Sequence, residues 1–304
     1  MTLDDLRVFV AVCRAGNLSA VAREQGCTQS AVSQHVKRLE RETGVALLER
    51  RPRGVAPTES GRILYEAAAD GLAGLDRAVR RLADLAAGGG GTVRVGTGGA
   101  TVRHFMAEAI VGFRRNHPAV SLEFRTETAS RRCLDALLAN TLDLAWVTIG
   151  APVPGLEQRP VTELPWVLAV RADDPLAGRP AVDARDLADI PLVRLPPNSI
   201  SGARLDAALA ELGVRGGSDT SVADWDTALL LAELGLGPAV VPAVPGLRAP
   251  ADGPLRLVPV PALPPLPVGW AVRRWDTLTP PARAFAAAVA ASCASDPDGA
   301  PLRP

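Results

Sequence analysis

Apolar residues near the start of the chain recur at the three- and four-residue spacing of helices. Leu3, Leu6, Phe9, Val10 and Cys13 make one helical face that closes at Gly16. A short second helix opens at Asn17 or Ser19 and stops near Gly26, and a third begins at Thr28, whose hydroxyl can accept from a free first-turn N–H. In that third segment Val32, Val36 and Leu39 stand at i, i+4 and i+7 and predict one buried stripe. At about 100° per residue, Ser30, Gln34, Lys37 and Arg41 fall on the opposite face, flanked by Gln29 and Ser33. Residues 45–48 then lead into a basic segment, ERRPRGVAPT, whose Pro52 and Gly54 suit the tip of a two-stranded wing. Three helices, a turn of about three residues between the second and third, and a wing predict a winged helix-turn-helix.

Thr58 opens the longest helical signal. Tyr65, Ala68, Leu72, Leu75, Val79, Leu82 and Ala86 alternate steps of three and four, a heptad seam. Such a seam either packs on its own domain or meets a partner helix. Gly71 and Gly74 lower its intrinsic propensity, and it lies between the helical unit and the glycine run 88–91, with no domain of its own to cover. Dimerisation through Tyr65, Leu72, Leu75, Val79 and Leu82 is therefore the expectation.

Beyond the glycines the period changes to alternating strands and helices. Strands are predicted at 92–95, 120–124 and 142–148, with helices at 100–115 and 130–138, a βαβαβ half with a parallel sheet. Further strands are expected at 166–171, 191–195, 218–222, 238–242, 255–260 and 268–273, and helices near 201–212, 225–234 and 280–292. The tail 293–304 reads as disordered.

Charge changes the picture only locally. The 304 residues carry 33 basic and 33 acidic side chains, so no global excess marks a nucleic-acid binder. The basic excess of the first 62 residues gathers between Lys37 and Arg53, where Arg38, Arg41, Arg51 and Arg53 join the polar face of the third helix. Hydroxyls, amides and cations on one exposed helix face are the groups that read base edges and phosphates in a major groove. Double-stranded DNA is the expected partner.

Other classes find little support. The four cysteines (13, 27, 133, 293) lack CxxC spacing, so neither a zinc site nor a disulfide framework is indicated; buried thiols are favoured over a thiol sensor. The histidines (35, 104, 117) are unclustered, and no GxSxG, HExxH or phosphate-loop motif occurs. Asp4 and Asp5 stand where a signal peptide would be basic, and no apolar run reaches about 20 residues. A cytoplasmic protein with no cofactor, no enzyme activity and no membrane partner is expected.

The ordered set Leu6, Phe9, Gly16, Ser19, Ala22, Gln29-Ser-Ala-Val-Ser33, Leu39-Glu40, Gly44, Leu47-Leu48, Arg50, Thr58 and Gly61 resembles the N-terminal domain of LysR-type transcriptional regulators. Three positions depart from the family pattern: Gln25 for leucine, Cys27 for a branched aliphatic, and Leu48 for phenylalanine. Looser landmarks, His117-Pro118, Leu142-Asp143-Leu144, Gly235-Leu-Gly237 and Pro242, are similar to the family's effector-binding region. The resemblance implies an α/β protein: an N-terminal all-α winged helix-turn-helix (1–57), a linker and dimerisation helix (58–87), a glycine hinge (88–91), and a two-subdomain, periplasmic-binding-protein-like effector domain (92–292). Subdomain I would take 92–162 and 268–292, and subdomain II 163–267. It also implies a homodimer or homotetramer and a small effector, in many members a carboxylate, held in the cleft.

In open α/β sheets ligands settle outside the carboxyl ends of strands, where helix N-termini offer free N–H groups. Carried over position by position, the family's cleft falls on Ala100, Thr101, Ser130, Thr148, Ser199 and Trp225. Serine and threonine at helix starts also serve simply as caps. Arg131 and Arg132 stand either as counter-charges to an anion or as surface residues, with the surface favoured. The competing class is an enzyme or small-molecule receptor built on 92–292, with the helical domain as an accessory.

Overall fold

The computed structural model describes all residues except 87–89, 99–100, 128, 189, 196–198, 215–219, 251 and 296–304. The chain divides into two compact units, Met1–Gly88 and Gly89–Pro304.

In the first unit, α1 (Leu3–Ala15) starts at a capping box in which Thr2 and Asp5 satisfy each other's backbone N–H groups, and ends at Gly16. Asn17 caps α2 (Leu18–Glu24) by accepting from Ser19 and Ala20, and Thr28 caps α3 (Gln29–Thr43) by accepting from Ala31. The wing follows as an antiparallel pair, β1 (Leu48–Arg51) and β2 (Gly54–Pro57), in register from Leu48↔Pro57 to Arg51↔Gly54. The long helix α4 (Glu59–Ala86) completes the unit.

The core of this unit is made where the helices cross. Val8, Val12, Val21, Ala22 and Val32 form one cluster, and Phe9, Leu39 and Leu47 another. The expected stripe Val32, Val36, Leu39 is buried, whereas Leu3, read as part of the first apolar face, is exposed. Gln25 and Cys27 are exposed, so neither departure in the turn takes a place in the core. Leu48 packs in part against both clusters.

Several family positions have visible jobs. Glu40 Oε1 accepts from the N–H groups of Leu47 and Leu48 (2.9 and 3.2 Å) and so ties the end of α3 to the wing. Thr58 donates to the Ala46 carbonyl (2.7 Å) and accepts from Gly61 N–H (3.0 Å). A Cβ on Gly61 would lie 2.0 Å from the Leu47 carbonyl oxygen, so a side chain there would drive α4 off the wing.

The second unit is built from β3 (Thr92–Thr97), a π-helical turn (Val102–Met106) running into α5 (Ala107–Asn116), β4 (Ser121–Thr126), α6 (Ser130–Leu138), β5 (Leu144–Thr148), β6 (Glu157–Leu164) and β7 (Trp166–Arg171). Then come α7 (Ala184–Leu187), α8 (Ile200–Glu211), α9 (Trp225–Glu233), β8 (Ala239–Pro242), β9 (Leu255–Pro259), β10 (Leu266–Val272) and, after a short 3-10 turn, α10 (Pro280–Ser295).

A five-stranded sheet runs β4-β3-β5-β10-β6 and a three-stranded sheet runs β8-β7-β9. The first is mixed rather than parallel. β3 pairs parallel with β4 and β5, but β10 returns antiparallel between β5 and β6. The strand β6 was not expected. Its Pro160 is tolerated because β6 is an edge, and the β10 pairing shifts register at Val268/Gly269 opposite it.

The strands expected at 191–195 and 218–222 are reduced to single bridges, Val193↔Ala239 and Arg194↔Ser221; part of the second lies outside the described residues. The first sheet runs to Leu164 and resumes at Leu266, two residues from each subdomain boundary read in the sequence. Residues 293–295, placed in a disordered tail, are the last turn of α10. The glycine hinge lies partly outside the described residues.

Candidate functional site

Two places in the chain bring functional side chains together, the outer face of α3 with the wing, and a cleft in the second unit. On α3, burial of Val32, Val36 and Leu39 leaves Gln29, Ser30, Gln34, Lys37 and Arg41 exposed, with Ser33 half-buried. Gln34, Lys37 and Arg41 follow at i, i+3 and i+7 and share one face. On the wing Arg51 and Arg53 are exposed; Arg51 is ion-paired with Glu49 beside it.

Arg38 departs from the expected role. Its Nε lies 3.2 Å from Oδ1 of Asp5, a fully buried carboxylate that also lies 2.8 Å from His35 Nδ1. Burial alone would raise the Asp5 pKa, but the hydrogen bonds from His35 and Thr2 and the charge of Arg38 outweigh it and hold the carboxyl at about 2. Asp5 thus anchors α3 to the first turn of α1, and Arg38 is in part a structural residue.

Because the folded pKa lies below the ordinary Asp value of about 3.9, this contribution to stability is complete above about pH 4. It is lost as pH falls through about 2. Asp5→Asn should cost about 2 kcal/mol at neutral pH, since a buried charge-assisted bond is removed. Urea unfolding checks this, and an Asp5→Asn chain as stable as the parent at pH 7 would remove the anchor.

Along α4 the seam residues divide. Tyr65 and Leu72 pack with Ala68 and Ala69 against Val10 of α1 in the same chain. The own-domain reading therefore holds for this half, and these two residues are not free surface. Leu75, Val79 and Leu82 are exposed (47%, 65% and 66%).

In the second unit a cleft of about 380 Å³ opens at the carboxyl ends of β3, β4 and β5. Thr101, Ser130, Thr148, Ser199 and Trp225 all line it, and Ala100 lies outside the described residues. Ser199 caps α8 by accepting from Gly202 N–H (3.2 Å) and shares a hydrogen bond with Ser201 (3.0 Å). Asp224 caps α9 by accepting from Thr227 N–H (2.8 Å). By contrast α6, which begins at Ser130, and the turn that begins at Thr101 show no side-chain cap among the described residues, so N–H groups of their first turns are left for the cleft.

The walls include residues the sequence reading did not assign. Trp146 is buried, with Phe105 at 5.2 Å and Trp270 edge-on at 5.0 Å, and Trp225 stands edge-on to Trp166 at 5.8 Å. Glu127, Cys133, Asp224 and Asp226 also line the space. Burial, with the neighbouring charge of Glu127, pushes the Cys133 thiol up to about 11, so little thiolate is present at neutral pH. Arg131 and Arg132 are exposed and paired with Asp135 and Glu127 at 3.5 and 3.9 Å. Neither lines the cleft.

A winged helix-turn-helix with a polar, basic α3 face, joined to an α/β unit with a cleft at its strand ends, defines the class of ligand-responsive transcriptional regulators. The sequence-family models narrow the class. "Bacterial regulatory helix-turn-helix protein, lysR family" matches residues 3–62, and "LysR substrate binding domain" matches residues 86–294. The chain belongs to the LysR family of DNA-binding transcriptional regulators. It is 34% identical over 204 residues to the transcriptional regulator BudR of Raoultella terrigena, spanning 66% of this chain and 70% of that one.

Solved structures at lower identity share the fold. CbnR in complex with its target DNA matches with a TM-score of 0.54 at 22% identity, over 96% of this chain and 99% of that one. A hydrogen-peroxide-bound OxyR variant of Corynebacterium glutamicum matches with a TM-score of 0.59 at 21% identity, over 96% and 92%.

Proposed function

We propose that this regulator senses a small molecule in the cleft of its second unit and converts its presence into a change in promoter binding by the α3 face and wing. The supporting observation is that one 380 Å³ space gathers Thr101, Ser130, Thr148, Ser199 and Trp225, residues from both halves of the unit. A ligand touching both halves favours one closure of the cleft over the other. In a dimer or tetramer, that closure changes the angle between the DNA-reading heads. A coupling of about 1–3 kcal/mol alters occupancy roughly 5- to 150-fold.

Dimerisation is assigned to Leu75, Val79 and Leu82, the exposed remainder of the seam. Binding rather than turnover is the role of the cleft. Its titratable lining consists of carboxylates and one thiol held at about 11, with no basic neighbour among the described lining residues to activate it. Held largely as the thiol, Cys133 is itself poorly suited to react with peroxide. No helix among the described residues is long and apolar enough to cross a membrane, and the cytoplasm, where promoter DNA lies, is the proposed location.

On the DNA, Gln34 is assigned to base edges and Lys37, Arg41 and Arg53 to phosphates. Each α3 enters one major groove of a pseudo-palindrome. Gln34→Ala should cost about 1–3 kcal/mol and relax preference at one position, while Arg53→Ala should weaken all sequences alike and lower the salt slope by about one. Binding isotherms on a set of single-base operator variants at two salt concentrations separate the two. An identical, uniform loss from both substitutions would end the division of roles.

A further inference from the structure

The lining of the cleft carries three carboxylates, Glu127, Asp224 and Asp226, and none of its described residues is lysine, arginine or histidine. The undescribed positions that adjoin it in sequence, 99, 100, 128 and 196–198, are glycine, alanine, threonine, two prolines and asparagine, and add no charge. Arg132, which pairs with the lining carboxylate of Glu127, is 72% exposed and stands 3.9 Å from it, a loose pair in reach of solvent screening.

Helix ends work in the opposite direction, each N-terminus presenting about half a positive charge. Four of them border the space: those of α6, α8 and α9, and that of the turn at Val102–Met106, which starts at Thr101 and runs into α5. Those of α8 and α9 are already capped by Ser199 and Asp224, whereas α6 and the turn that starts at Thr101 have no side-chain cap among the described residues. With Asp224 already engaged by Thr227 at the start of α9, two free half-charges against Glu127 and Asp226 still leave the interior negative.

The rings of Phe105, Trp146 and Trp225 line the same cavity. Their π faces attract cations, and they cover the apolar body of a ligand. Carboxylates and aromatic faces around one space make a receptor for positive charge. A carboxylate effector, as in many family members, would meet like charge on entering.

We infer that the molecule sensed by this cleft is an organic cation. Its ammonium or guanidinium group sits among Glu127, Asp224 and Asp226, and its apolar body lies against Trp146 and Trp225. Ser130, Thr148 and the free N–H groups of α6 serve a neutral carbonyl or hydroxyl oxygen on the same ligand. This assignment rests on the cleft being the sensing site.

Calorimetric titration of the full chain with phenethylammonium, hydrocinnamate and phenethyl alcohol tests it, because the three share an aromatic skeleton and differ in charge. Phenethylammonium should bind at least about tenfold more tightly than either of the others. The double variant Glu127→Gln, Asp226→Asn should erase most of that preference; Asp224 is kept because it caps α9. Equal or tighter binding of hydrocinnamate, no binding of the ammonium, or a preference untouched by the double variant would each overturn the cation.

A third variant, Ser130→Trp, fills the cleft and separates this failure from failure of the sensing site. Hydrocinnamate heats abolished by Ser130→Trp would keep the site and remove only its charge assignment. Heats from any probe that survive Ser130→Trp would place binding outside the cleft.

Discussion

Replacing Leu75 with arginine is expected to turn the oligomer into a monomer and to lower affinity for a two-half-site operator roughly a hundred- to ten-thousand-fold, the range lost when paired binding becomes single. The expectation follows from the division along α4. Val10 takes the Tyr65–Leu72 half of the seam inside one chain, and Leu75, Val79 and Leu82 remain exposed. A guanidinium at position 75 disturbs no described core cluster of its own unit, so the monomer should keep its helical content and melting behaviour. Its charge must be desolvated if two such helices meet. Sedimentation velocity reads the outcome directly. A Leu75→Arg chain that sediments like the parent would move the dimer contact away from this seam.

The second large effect is expected at the wing. Gly54 has φ +141, and a Cβ built on it lies 2.1 Å from the carbonyl oxygen of Gly16. That same oxygen accepts from Val55 N–H at 2.8 Å, the bond that seats the wing on the corner between α1 and α2. Gly54→Ala therefore meets strain and a clash with backbone that has no rotamer to give. A cost of about 3–4 kcal/mol is expected from the two together. Since Arg53 is the neighbouring residue, operator affinity should fall even where the domain still folds. Urea unfolding and operator titration of Gly54→Ala check both parts; stability within about 0.5 kcal/mol of the parent, the range of an ordinary surface change, would show that the wing is not held there.

Much of the first unit could be read from the sequence because its signals are local. Val32, Val36 and Leu39 declare a buried stripe by spacing alone, and Thr28 and Gly44 bound the helix that carries it. Asp5 was invisible for the converse reason. An acid in a first turn reads as a dipole partner in water, and its contacts with His35 and Arg38 depend on how α1 crosses α3.

In the second unit, strands buried on both faces, such as Leu144–Thr148 and Trp166–Arg171, stood out as apolar runs. The strand Glu157–Leu164 did not, since an edge needs no apolar alternation and tolerates Pro160. The hydroxyls of the cleft were legible through the family resemblance and through their places at strand and helix ends. Its carboxylates were not: Asp224 reads only as the opening of a helix, and Glu127 lies beyond the strand expected at 120–124. Only the folded arrangement brings both to the lining of one cavity with Trp146.

The claim that the cleft governs how the α3 faces hold DNA is tested most directly by measuring operator affinity with and without a ligand that binds the wild-type cleft, in the wild type and in Ser130→Trp. The wild type should shift its operator affinity roughly 5- to 150-fold on saturation. Ser130→Trp should bind the free operator within about twofold of wild type, a difference below 0.5 kcal/mol, and show no shift at any ligand concentration. A Ser130→Trp protein that responds to the ligand as the wild type does would contradict the coupling of this cleft to DNA binding.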